Sequence, residues 1–327
     1  MTSTRGNRSD DDAITLSRAL QAAALGVRAG AADLAGWVRG MPGHRFGNFG
    51  RGVGLRLIAA GEIRRGGALL LTPVNSVRYW EFDFADRHLP RVGDVALDVS
   101  SPRILSMYFA HRARFARISV INPDRQDVHE TERIARICGF GRIVTIEGDA
   151  ASLDADPGRY TAAWSISVIE HIDGDRGDTD AVMAMFRALK PGGTLVLTFP
   201  VDREYRLEHR AADVYGLGRA ATDDGSYFFQ RWYDMKAIQS RIIDPLGIEP
   251  ISLEWFGEIH PGAFRSYEQG WLQRGHHVTV SDPNFISTQF RRYDRWEELP
   301  GMGVCGLAFQ VPSQSEIAEP EGEQADA

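Results

Sequence analysis

Val95-Ala-Leu-Asp-Val-Ser-Ser-Pro-Arg103 is the stretch that decides the fold. An apolar run carries one acid, Asp98, near its carboxyl end. Two hydroxyl residues and Pro102 follow, and an apolar-periodic stretch begins at Ile104. That is a buried strand, a tight turn and a helix start. Ligands of open α/β sheets bind outside the carboxyl ends of the strands. Ser100-Ser101-Pro102 contains no glycine, although a nucleotide-type ligand usually meets a backbone without side chains. Ser101 is expected to cap the helix, with Pro102 at its first position.

The same alternation runs on to about Val201. Strands are expected at Val95–Val99, Arg117–Ile121, Ile143–Glu147, Ala162–Ile166 and Thr194–Phe199. Helices are expected at Pro102–Ala113, Val128–Cys138 and Thr179–Leu189. This pattern predicts an α/β, Rossmann-like, seven-stranded, mainly parallel sheet with helices on both faces. Later strands are expected near Ile248–Trp255 and Gly303–Val311. Asp202–Asp224 reads as partly helical, Tyr227–Tyr233 as an aromatic cluster, and Met235–Ile243 as a helix.

Ahead of this domain, residues 13–90 read as a helical and aromatic cap. Leu16, Leu20, Ala24 and Val27 form one stripe. Gly30 interrupts it, and Leu34, Trp37, Val38 and Met41 give a second helix face packed on a core. The glycines between Phe46 and Gly54 read as a flexible connection, since no Gly-Lys-Ser/Thr follows. Trp80, Phe82 and Phe84 alternate with Glu81 and Asp83, which suggests an extended segment with buried rings, a short helix with exposed acids also being allowed. Residues 91–312 form the main domain, with insertions at about 203–233 and 256–302. Residues 1–12 and 313–327 are expected to be disordered.

The composition is that of an ordinary soluble protein: 43% hydrophobic and 25% charged over 327 residues. A net charge of −7 gives no global field for nucleic acid or an anionic membrane. Basic residues are nearly all Arg; Lys190 and Lys236 are the only lysines. Two distant cysteines, Cys138 and Cys305, fit a reducing cytoplasm rather than a disulfide or zinc framework. No apolar run reaches the roughly 18 residues of a membrane span.

Asp98, Gly148-Asp149-Ala150, Ser165-Ile-Ser-Val-Ile-Glu-His-Ile172 and Leu189-Lys-Pro-Gly-Gly-Thr-Leu-Val-Leu-Thr-Phe-Pro200 together resemble a class I S-adenosylmethionine-dependent methyltransferase of the type 11-like kind. The resemblance runs from about Val95 to Val201. Arg78-Tyr79 ahead of the glycine-free turn resembles a bacterial subgroup of that family. The resemblance implies S-adenosylmethionine as cofactor, and a last strand inserted antiparallel.

It also assigns residues. Asp98 meets the methionine ammonium through water, next to Ser100 and Ser101. Asn122, or Asp124 two positions on, stands where an acid binds the ribose hydroxyls. Asp149 and Ala150 meet the adenine, and Ser165 and Ile166 line the cofactor with backbone. His171 is the candidate general base, because an imidazole titrates near neutral pH. Ser167 stands where metal-dependent relatives have an acid, so no metal is expected. Asp173, Asp175, Asp178 and Asp180 lack calcium-loop spacing and read as helix capping. Apart from the resemblance, the segments around it offer Arg78, Tyr79, Tyr227, Arg231 and Tyr233 as candidate substrate residues, with a packing role for the aromatics equally open.

The expected activity is in-line methyl transfer to a small-molecule, glycan or lipid-intermediate acceptor, compatible with a homodimer. The alternative is an inactive scaffold of the same fold, motivated by the missing glycines and by Asn122. A nicotinamide enzyme requires Gly-x-Gly-x-x-Gly after strand one, and that is absent. A nucleic-acid methyltransferase is disfavoured by charge and by the absence of Asn/Asp-Pro-Pro-Tyr/Phe.

Overall fold

The computed structural model describes residues 6–150, 153 and 157–313, without the side chains of 6–20, 22 and 276. Of the ends expected to be disordered, 1–5 and 314–327 lie outside the described residues. In chain order come α1 (Gly6–Val38), α2 (His44–Ala59), α3 (Ile63–Leu71), α4 (Arg78–His88), β1 (Gly93–Val99), α5 (Ile104–His111), β2 (Phe115–Asn122), α6 (Arg125–Cys138), β3 (Ile143–Glu147) and β4 (Tyr160–Ile166). Then follow α7 (Gly177–Arg187), β5 (Leu189–Val201), β6 (Arg206–Arg210), β7 (Tyr227–Trp232), α8 (Met235–Ile238), α9 (Asp244–Leu246), β8 (Ser252–Glu258), α10 (Ala263–Arg274), α11 (His276–Thr279), α12 (Asp282–Gln289), β9 (Phe290–Tyr293) and β10 (Gly303–Gln310).

The chain divides into two units. One comprises the residues up to Tyr79 together with Ala263–Phe290; the other comprises Trp80–Gly262 and the residues from Arg291 on.

In the first unit, α1 is one helix, not two. It begins at Gly6 rather than Ala13 and passes through Gly30 without a break. Leu16 and Leu20 lie where side chains are not described. Val27, Leu34, Trp37 and Val38, expected in a core, face solvent instead. The residues of α1 that are buried are small: Ala29, Ala32 and Gly36. Close packing of two helices selects small side chains, so the larger stripe is turned outward. The glycine-rich Phe46–Gly54 is not a flexible connection but part of α2. Three of its glycines serve close approach: Gly47 to the Tyr79 ring, Gly50 to Pro73 and Gly54 to α3. A Cβ on Gly54 would lie 2.8 Å from the Gly66 carbonyl oxygen, and one on Gly66 would lie 2.5 Å from that of Gly54.

The second unit holds an eight-stranded sheet in the order β3-β2-β1-β4-β5-β10-β8-β9, with helices on both faces. The pairs β3/β2, β2/β1, β1/β4 and β4/β5 are parallel, and β10 runs antiparallel between β5 and β8. One strand, β9, is added to the seven expected; it comes from the region read as an insertion. The central strands bury apolar residues such as Leu97, Val99, Ala163, Leu195, Leu197 and Phe199, as strands covered on both faces must. Trp164 meets Phe109 edge-on at 5.4 Å.

Two readings are corrected here. The segment around Trp80 is not extended but the helix α4, the other form the pattern allowed, and residues 79–86 are all buried. Its rings are buried as expected, but so are Glu81, Asp83 and Asp86. Asp86 pairs with buried Arg114, which also donates to the Pro90 and Leu89 carbonyls. Asp202–Asp224 is not helical: β6 pairs antiparallel with β7 to make a hairpin.

Candidate active site

The sheet order reverses between β1 and β4, so the crevice of an open α/β sheet falls at their carboxyl ends. Both turns there hold a serine in the left-handed region: Ser100 at φ 51° and Ser167 at φ 47°. Such a conformation disfavours L-residues by roughly 1–2 kcal/mol, and strain of this kind clusters at functional sites.

The first turn is held by its own side chains. Ser100 donates from its backbone N–H (2.8 Å) and its hydroxyl (2.9 Å) to the Ile121 carbonyl on β2. Asp98 is fully buried; one oxygen accepts from the Ser101 N–H at 3.0 Å and the other from the Ser106 hydroxyl. Its carboxylate therefore faces the turn and α5. Ser101 does not cap the helix, which starts at Ile104. Its hydroxyl instead accepts from the Ile166 N–H at 3.0 Å, tying the β1 turn to β4. Ile166 thus has its donor taken, while the buried Ser165 hydroxyl has no partner. Ser100→Gly is expected to change stability by less than about 1 kcal/mol, because relief of strain offsets the lost hydroxyl bond. Thermal unfolding checks this; a loss above about 2 kcal/mol contradicts it.

Burial pushes the Asp98 carboxyl up to about 6 from 3.8, although its hydrogen bonds oppose the shift. The folded state then holds a proton that the unfolded chain has released between pH 3.8 and about 6. Stability from this group falls as pH rises through that window, by the order of 2–3 kcal/mol. Asn at this position accepts from Ser101 and donates to Ser106 without ionising. The stability of Asp98→Asn relative to wild type is expected to improve from pH 4 to pH 7 in denaturant titrations. A flat difference refutes the assignment.

At the end of β2, Asn122 is engaged locally. Its Oδ1 accepts from the Asp124 N–H, and its Nδ2 donates to Asp127 Oδ2, both at 2.9 Å. Asp124 caps α6. Asp127, in the first turn of α6, thus brings a second carboxylate beside Asn122 at this strand end. It also receives the Arg103 guanidinium from the β1 turn, which donates to Thr131 as well (3.3 Å). At the end of β3, Asp149 is exposed and Ala150 buried.

Behind the second turn, the fully buried Glu81 accepts from the Ser167 hydroxyl and, at 2.8 Å, from the Thr198 hydroxyl. His171 follows on a one-turn 3₁₀ helix. Its Nδ1 lies 2.8 Å from the Phe229 carbonyl oxygen, which fixes Nδ1 as a donor; Nε2 then accepts from the Tyr215 hydroxyl at 3.1 Å. Glu170 Oε1 lies 3.7 Å from Nε2. Tyr215 and Phe229 stack at 5.9 Å, and Arg219 donates to the His171 carbonyl at 2.6 Å.

The expected substrate residues fall in both units. Arg78 and Tyr79 belong to the first unit, and Tyr79 is fully buried. Tyr233 is also fully buried, donating to Asp178 at 2.8 Å. Arg231 is buried and donates to the Ile172 and Gly174 carbonyls. Their hydroxyl and terminal guanidinium nitrogens bond inside the protein, which anchors the hairpin. Tyr227 is half-buried on β7. Sequence reasoning missed Glu81, Arg103, Asp127 and Tyr215. Among the described residues no group of three or more His, Cys, Asp or Glu side chains could hold a metal, and no helix is long and apolar enough to cross a membrane.

The strand order and its antiparallel β10 define a Rossmann-like α/β sheet. Residues 97–197 match a family model described as a methyltransferase domain. No curated protein matches the chain. Among solved structures it is similar to the [4+2]-cyclase SpnF, with 19% identity, 72% of this chain and 80% of that chain covered, and a TM-score of 0.46. It is similar to geranyl diphosphate C-methyltransferase from Streptomyces coelicolor A3(2), in complex with S-adenosyl-L-homocysteine: 16%, 71%, 77% and 0.45. It is also similar to coclaurine N-methyltransferase, with 10%, 71%, 71% and 0.46.

Proposed function

We propose that the chain is an S-adenosylmethionine-dependent methyltransferase with a small-molecule, glycan or lipid-intermediate acceptor. The observation that carries this is the pair of left-handed serines, Ser100 and Ser167, facing the reversal of strand order. The domain match over both turns supports it.

The residues fit the cofactor. Arg103 offers a guanidinium to the carboxylate of its amino-acid end. Asp127, oriented by Asn122, offers the two ribose hydroxyls a carboxylate, so Asn122 acts through Asp127. Asp149 and the Ala150 backbone stand at the β3 end for the adenine. The partnerless Ser165 hydroxyl is an unmet polar atom under the crevice. Asp98 holds the turn, and Ser100 and Ser101 lock it to β2 and β4.

When bound, the cofactor supplies an electrophilic methyl group on a sulfonium. The chain's part is mainly placement, because in-line transfer depends most on orientation. His171 keeps a proton at Nδ1, held by the Phe229 carbonyl, and offers Nε2 as base once an acceptor hydroxyl replaces that of Tyr215. The hairpin bearing Tyr227 and Phe229 gives the substrate an aromatic wall.

A second reading, a scaffold that binds no cofactor, is favoured by the closed set of Arg103, Asp127 and Asn122. Calorimetric titration with S-adenosylmethionine separates the two. The enzyme reading expects saturable 1:1 binding; absence of heat and of thermal shift at millimolar ligand refutes it and leaves the scaffold.

A further inference from the structure

The first unit contains a cavity of about 460 Å³ between α10, α12 and Arg28 of α1. That is the size of a small-ligand site. Its lining includes Arg28, Ser266, Arg274, Ser281, Asn284 and Gln289, and among the described residues no acidic one. This is notable in a chain of net charge −7, whose described arginines often pair with carboxylates, as Arg51 does with Asp33 and Arg65 with Glu62. Among the described residues, neither Arg28 nor Arg274 has an acidic partner.

Both guanidinium groups are placed by neighbours. Arg28 Nε donates to the Ser281 hydroxyl at 2.9 Å, leaving its terminal nitrogens for another acceptor. Arg274 folds back over Gly270, where a Cβ would come 3.2 Å from Arg274 Nη2. Tyr267 and Phe285 stack at 4.5 Å and 17° to form an apolar wall. The Tyr267 hydroxyl donates to buried Asp282 at 2.8 Å, which fixes that ring. Two like charges sharing one cavity repel each other, and an anion reverses that repulsion.

We propose that this cavity binds an anionic sugar, with the two arginines on its phosphate or carboxylate. Guanidinium groups take such anions through paired hydrogen bonds. The hydroxyls of Ser266 and Ser281 and the amides of Asn284 and Gln289 suit ring hydroxyls, and the aromatic wall suits the C–H face of a pyranose. The site lies wholly within the first unit, and it does not depend on the methyl-transfer reading.

The test uses the full chain in calorimetric and thermal-shift titrations with glucose 6-phosphate, glucuronate, glucose and inorganic phosphate. Saturable binding of glucose 6-phosphate or glucuronate is expected, and the stronger of the two identifies the anionic group. Glucose is expected to bind at least tenfold more weakly. Arg274→Gln and Arg28→Gln are each expected to weaken the anionic sugar about tenfold at unchanged thermal stability, since both side chains are exposed. Gly270→Leu provides a second variant, blocking the Arg274 position while leaving both charges present, with the same expected loss. The proposal is overturned if neither anionic sugar binds, if the three variants bind like wild type, or if inorganic phosphate binds as tightly as the sugar phosphate.

Discussion

Asp178→Ala is expected to destabilise the protein by about 3–5 kcal/mol, the loss typical of a buried charge left without its partner. Asp178 is fully buried. It accepts from Arg241 Nη2 at 2.7 Å and Nε at 2.9 Å, and from the Tyr233 hydroxyl at 2.8 Å; Arg231 Nε lies at 3.7 Å. Burial pushes its carboxyl up, but the bonds from Arg241 and the charge of Arg231 outweigh this and hold it below the usual range. The stability it contributes is therefore present at neutral pH and lost on acidification below the ordinary carboxylate range. Removal takes the carboxylate acceptor from Arg241 and from the Tyr233 phenol, and leaves the buried Arg231 charge without its counter-ion. Arg231 also secures the loop after His171, so the hairpin carrying Phe229 loosens with it. Chemical denaturation measures the effect; a loss under 1 kcal/mol shows that the cluster is solvated and the account mistaken. Asp178→Asn keeps an acceptor for Tyr233 and is expected to lose about half as much.

Asp127→Ala is expected to weaken S-adenosylmethionine binding by about 100-fold, or about 3 kcal/mol, through two hydrogen bonds to an ionised acceptor. The side chain is 37% exposed, so little thermal stability should go with it. The contrast between the two readouts is what separates a ligand contact from a structural one. Asn122→Ala is expected to lie between wild type and Asp127→Ala, because Asn122 orients the carboxylate without meeting the ribose. Binding within threefold of wild type in Asp127→Ala refutes the assignment.

The alternation from Val95 to Val201 was readable because each strand there is a short apolar run closed by turn residues. Helix α4 was not readable. Tyr79 to Asp86 is buried on every side, so no polar stripe marks the 3.6-residue period, and the acids between its rings imitate a strand. The misread glycines of α2 have a similar cause: glycine serves a flexible link and a close helix contact equally well, and only the facing Gly66 decides. At the site, the strand-end acceptor was read as Asn122 or Asp124; Asp127 was passed over because it lies in the next helix, in Asn122-Pro-Asp-Arg-Gln-Asp127, where Asp124 caps and Asp127 meets Asn122. Glu81 could not be placed because its partners are 86 and 117 positions away in sequence.

The serines at 100 and 167 bear on kinetics as well as on geometry. A glycine in such a turn can swing through several backbone states and settle around an arriving molecule. A serine held in the left-handed region by bonds to the neighbouring strand has little room to swing. The crevice floor is thus set before any ligand arrives, and ordering it subtracts little from affinity. Association should follow simple bimolecular kinetics, with no slow isomerisation traceable to the β1 turn.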